Sequence, residues 1–129
     1  LRYLDFLIHQ PERAVVLHGE GIAVLVPAPE RFAVHKLIVA TERQIDQNGL
    51  SKSGKDRAQA LSIFQAMIET RRTDALADAY MEAWDRGPKW QKAIASSTRT
   101  LEPKAFSDVA MALADAIRHL DGNPSNYGL

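Results

Sequence analysis

PERFAVHKLIVATER, residues 29–43, is the stretch whose reading decides how this chain is built. Pro29 suits a first helical turn, and Glu30 favours the positive end of a helix dipole. No glycine or proline interrupts the run before Gln44. The pattern predicts a helix that is apolar almost all the way round, which is how a helix surrounded by others reads. Two polar lines cross it. With about 100° of rotation per residue, and Glu30 at zero, Arg31, His35 and Glu42 fall at roughly 100–140°. They read as an ordinary solvent stripe. Val34, Leu37, Ile38, Ala33 and Ala40 fill the opposite side. Lys36 and Arg43 fall at roughly 240° and 220°, walled by Phe32, Val39 and Ala40.

Two cations in a partly dry setting need a counter-charge, because desolvating each costs several kcal/mol. The sequence offers two sources, and both stay open. Asp56 opens the next helix, expected over Lys55 to about Arg71. An antiparallel hairpin of the two helices would bring Asp56 to Arg43 as a structural ion pair, with Lys36 snorkelling. The other source is an anionic ligand such as a phosphate, contacted by Lys36, Arg43, Lys55 and Arg57. Lys52 and Lys55 flank Ser53-Gly54 at that expected helix start, where backbone N–H groups could also meet an anion. The Ser-Gly-Lys triplet is not a P-loop: the upstream glycine of G-x-x-x-x-G-K is absent and no strand leads in.

Upstream, Leu4–Ile8, Ala14–Leu17 and Ile22–Val26 are short apolar runs that predict strands, the last two joined through Gly19-Glu20-Gly21 as a hairpin. Near-continuous apolar strands belong to sheets covered on both faces. Three short ones are expected to be the edge of a larger sheet, completed by a preceding segment or by a second copy. Asp5, inside the first run, is the one candidate for a catalytic or metal-binding strand carboxylate. Downstream, polar breakers at Asn48-Gly49 and Ser53-Gly54 predict a loop. Three further helices then follow: one capped at Thr73 or Asp74, one around Trp90, Ala93 and Ile94, and one starting at Pro103 or Ser107. Tyr80, Trp84 and Trp90 fall at helical spacing and read as core. Asp74, Asp78, Glu82 and Asp85 read as a solvated face.

The expected architecture is therefore α+β: a β segment over 1–28, a bundle of about five helices over 29–121, and a flexible tail over 122–129. Of 129 residues, 46% are hydrophobic, enough for a packed core. Sixteen basic residues balance sixteen acidic ones, which speaks against a general nucleic-acid or membrane-surface binder. No apolar run reaches the roughly 18 residues of a membrane span. The absence of cysteine excludes a disulfide framework and fits a cytoplasmic protein. The four histidines show no metal-ligand spacing, and no G-x-S-x-G surrounds the serines between Ser96 and Thr100.

VPAPERFAVHKLIVATER (26–43), followed after a loop by GKDRAQALSIF (54–64), resembles the C-terminal half of a bacterial nucleotidyltransferase-like family. Its members are related to the abortive-infection, toxin-type nucleotidyltransferases. The pattern is Pro29-Glu30, then Lys36, Arg43 and Lys55-Asp56. LRYLDFLI and AVVLHGEGIAVLVP look like the preceding segment, so the likeness spans about residues 1 to 70. The resemblance implies transfer of a nucleotide from an NTP, assisted by Mg²⁺ on two or three sheet carboxylates near a Gly-Gly or Gly-Ser turn. Neither that turn nor a D-x-D pair occurs in this chain. Two-metal chemistry needs those carboxylates. The expectation is that they lie upstream of Leu1 and that this chain alone is inactive in transfer. Lys36 and Arg43 then carry over as phosphate contacts and Lys55-Asp56 as a site-shaping pair. The rival reading is a non-enzymatic interaction or oligomerisation module.

Overall fold

The computed structural model describes residues 3–17, 19–42 and 47–129, with only the backbone over 47–52. Leu4–Ile8 is a helix, α1, and not the expected third strand. A five-residue apolar run has no periodicity of its own to choose between the two. Tertiary packing chooses here. Tyr3 and Phe6, three apart, both turn inward, while Leu4 and Ile8 stay exposed. Pro11 then stops the helix, since the residue before a proline avoids the α region.

Glu12–Val16 (β1) and Ile22–Val26 (β2) pair antiparallel, from Glu12 opposite Val26 to Val16 opposite Ile22. Gly19 and Gly21 both hold positive φ in the turn, as the sequence requires. The pair forms the whole sheet among the described residues. Its apolar side chains are not covered: Val15 is 63%, Leu25 68% and Leu17 92% exposed.

Pro29–Glu42 (α2) is the central element and packs against α1, Gln47–Glu69 (α3), Thr73–Trp84 (α4) and Pro88–Thr98 (α5). This is why its sequence is apolar on nearly every side. α3 begins earlier than expected and runs through Ser53-Gly54. The physical reason lies on α2. Ser53 is buried, and its hydroxyl donates to the Ala40 carbonyl at 2.7 Å. That carbonyl belongs to the last turn of α2.

α4 carries no side-chain cap: Thr73 is its first residue and Arg72 precedes it. Gly87 at φ 129° and Pro88 turn the chain into α5. Pro103–His119 (α6) is capped by Glu102, whose carboxylate accepts from the Lys104 and Ala105 amides and is held below the usual range by them. The last residues are drawn onto the bundle. Pro124–Tyr127 form a 3₁₀ turn, and the Tyr80 hydroxyl donates to the Tyr127 carbonyl at 2.8 Å. The core is led by Phe6, Phe64, Leu37, Ile38, Leu76, Ile94, Leu113 and Ile117. Tyr80 and Trp90 lie in it too, as their spacing implied.

Candidate functional site

The second polar line of α2 meets an acid. Lys36 Nζ lies 3.0 Å from Asp56 Oδ1, across the α2–α3 contact. The Asp56 side chain is 4% exposed and that of Lys36 20%. The amine also sits 5.2 Å from the centroid of the Phe32 ring, within cation–π range. So the carboxylate is enclosed, while the lysine keeps one side towards solvent. Asp56, expected opposite Arg43, pairs with Lys36 of the same polar line. Arg43 itself lies outside the described residues.

Arg57 follows Asp56 on α3 and reaches the other way, towards α5. Its Nε donates to Ser97 Oγ at 3.4 Å. Ser97 is buried, and its hydroxyl donates a hydrogen bond to the Leu37 carbonyl of α2. The guanidinium Nη2 is enclosed and has no hydrogen-bond partner among the described residues. Burial lowers the Arg57 pKa from its usual value, opposed by the neighbouring Asp56 charge. Lys55 is exposed, without an ion pair to a described residue. Beside the Lys36–Asp56 pair, a shallow cavity of about 340 Å³ is lined by Phe32, Ala58, Gln59, Ser62 and Ile63. Lys36 and Asp56 thus meet across the α2–α3 contact, while the next residue, Arg57, turns from them towards α5.

Asp5 lies elsewhere. It is on α1, its side chain is 72% exposed, and it pairs with Arg86 at 3.0 Å. That hydrogen bond holds its pKa below the usual value. The premise of a carboxylate inside an apolar strand therefore fails, because the segment is a helix and Asp5 is on its outer side.

A second charged centre escaped the sequence reading. Arg31, expected on a solvent stripe, is only 8% exposed. Its two terminal nitrogens clasp Glu82 of α4 at 2.6 and 2.9 Å, and Nη1 also donates to the Phe6 carbonyl at 3.1 Å. The guanidinium stacks 4.8 Å above the Phe6 ring. Glu82, read as part of a solvated face, is held below the usual carboxylate range, first by the Arg31 hydrogen bond. Arg86 extends the cluster from Asp5 to Glu82 and over Phe6 and Trp90. The sequence signal was present, since Arg31 sits only about 20° from Ile38 on the helix, but nothing local marked it as inward.

Among the described residues no group of three or more His, Asp or Glu could hold a metal ion. No helix among them is long and apolar enough to cross a membrane. Comparison with curated proteins and with solved structures returned no match. A protein-family comparison did, matching the nucleotidyltransferase model over residues 1–85, a span that takes in α1, the hairpin, α2, α3 and α4 and with them the Lys36–Asp56 and Arg31–Glu82 pairs. With well over half its length matched, the chain belongs to the nucleotidyltransferase family.

Proposed function

We propose that this chain is the substrate-contacting part of a bacterial, cytoplasmic nucleotidyltransferase that takes its nucleotide from an NTP. Lys36, Arg43, Lys55 and Arg57 are its phosphate contacts, and Asp56 shapes the site by fixing Lys36. The catalytic carboxylates and their Mg²⁺ belong to a segment preceding Leu1, since neither a D-x-D pair nor a glycine turn of the family type occurs here.

The observation that carries the reading is Arg57. A buried donor left without a partner costs about 1–3 kcal/mol. Arg57 Nη2 is such a donor among the described residues, one residue from the enclosed Asp56. An anion reaching Arg57 would offset that cost, and Lys36 keeps a fifth of its side chain exposed. The test is NTP-binding calorimetry and transfer activity of the longer protein, wild type against Lys36→Ala. Loss of a charge-assisted contact predicts at least about tenfold weaker binding. Unchanged affinity and activity would remove Lys36 from the site.

A second reading, an interaction or oligomerisation module, is favoured by the bare hairpin. Val15, Leu17 and Leu25 are more than 60% exposed, and both strands have an open edge. A preceding segment or a second copy would pair there. Sedimentation velocity separates these outcomes. A concentration-dependent dimer abolished by Val15→Lys supports self-pairing. A monomer at all concentrations removes the second copy.

A further inference from the structure

Ser97 stands on α5, beyond the span matched to the family model. It is fully buried, and a buried hydroxyl needs partners for its proton and its lone pairs. Ser97 finds them on two different helices. Its O–H donates to the Leu37 carbonyl of α2. Its Oγ accepts from Arg57 Nε of α3 at 3.4 Å. A hydroxyl has a single proton. With that proton directed at Leu37, Oγ meets Arg57 only as an acceptor, so the first bond sets the sense of the second.

The two bonds close a circuit. Lys36 pairs with Asp56 at 3.0 Å. Asp56 precedes Arg57 in α3, Arg57 donates to Ser97, and Ser97 donates to Leu37, which follows Lys36 in α2. The path from Lys36 thus returns to Lys36. α2 and α3 carry the two cations, and α5 supplies the member that joins them. Among the described residues Arg57 has no other hydrogen bond or ion pair, and its enclosed Nη2 is unpartnered.

Which nitrogen Ser97 holds matters chemically. A guanidinium meets an oxyanion as a rigid planar fork, so its binding depends on how that plane is turned. Nε is the nitrogen nearest the chain. A bond there fixes the plane and leaves the terminal nitrogens for another partner.

We propose that Ser97 is a positioning residue: anchored on the Leu37 carbonyl, it holds Arg57 by Nε and so sets the guanidinium plane, and its placement relative to Lys36, for an incoming anion. The inference rests on the reading of Lys36 and Arg57 as phosphate contacts. It adds that α5, outside the matched span, is needed for one of those contacts. Ser97 touches no substrate and acts through Arg57.

The experiment is a double-mutant cycle in NTP-binding calorimetry of the longer protein, with ATP, GTP, CTP and UTP in turn. The four proteins are wild type, Ser97→Ala, Arg57→Ala and the double variant. Ser97→Ala removes one oxygen and should weaken the most tightly bound NTP by about three- to tenfold, the effect of one hydrogen bond. In the Arg57→Ala background the same change should alter affinity by less than about twofold, because residues acting through one contact are not additive. A serine that merely braced α5 against α2 would weaken binding equally in both backgrounds. A second readout needs no ligand. In NMR of the full chain the Arg57 Nε–H, assigned with Arg57→Lys, should exchange slowly with water in the wild type and fast in Ser97→Ala. Wild-type affinity in Ser97→Ala, equal losses in both backgrounds, or fast Nε–H exchange in the wild type overturns the proposal. If Arg57→Ala weakens binding and Ser97→Ala does not, the phosphate-contact reading stands and this inference alone fails. If Arg57→Ala binds as the wild type does, Arg57 leaves the site and the role of Ser97 falls with it.

Discussion

Two cations of α2, one in its first turn and one at its middle, each meet an acid from another helix, and they differ in how completely the meeting is closed. At the N-terminal end, Arg31 is 8% exposed and all its observed contacts are internal: Glu82 twice, the Phe6 carbonyl and the Phe6 ring. At the middle of the helix, Lys36 makes a single hydrogen bond to Asp56 and keeps a fifth of its side chain exposed. A planar guanidinium can satisfy several acceptors at once, whereas an ammonium is a point charge that water also serves well. The first centre ties α1, α2 and α4 together. The second leaves room for something else.

The largest expected effect tests the closed pair. Arg31→Ala leaves Glu82 and the Phe6 carbonyl without their donor and should cost about 2–4 kcal/mol in urea unfolding. That lies near the lower part of the range for a broken buried pair, because Glu82 is partly exposed. A loss below 1 kcal/mol would mean that the clasp is ornamental and the contrast false. Lys36→Met should cost less, about 1–3 kcal/mol, since it removes one charge-assisted hydrogen bond made by a lysine that is still partly open to solvent.

Acid sharpens the same contrast. The folded-state pKa of Glu82 is depressed, so its contribution to stability is present above the unfolded carboxylate pKa of about 4.3 and is lost as pH falls through the lower folded value. The urea midpoint should drop on acidification below about pH 4.3, and drop less in Arg31→Ala. Equal acid sensitivity in both proteins would assign the effect to other carboxylates.

Smaller effects probe the surroundings of the open pair. Ser53→Ala removes the donor to the Ala40 carbonyl and should cost about 1 kcal/mol. Gly54→Ala should go the other way and stabilise by about 0.5–1 kcal/mol, because Gly54 sits inside α3 with open space where a Cβ would stand. If Gly54→Ala destabilises instead, α3 does not run through this position in solution.

Part of this was legible beforehand. The hairpin, the central helix, the later helices and the meeting of the Lys36 line with Asp56 all follow from local pattern. Glycines that demand positive φ, a proline at a first turn and an apolar surface interrupted by a cation each carry their meaning within a few residues. The errors share a cause. Leu4–Ile8 became a helix because Phe6 packs under Arg31, α3 ran through Ser53-Gly54 because Ser53 satisfies a carbonyl of α2, and Glu82 left its solvated face because Arg31 turns inward. Each depends on a partner distant in the chain.

The sequence by itself determined the class of fold, the central role of residues 29–42 and a kinship with nucleotidyltransferases. Only the tertiary structure decided which acid answers which cation, and that Ser97 of α5 meets Arg57 of α3. Backbone preference acts over a turn or two of chain, but a charge chooses its partner by distance in space after the helices have docked.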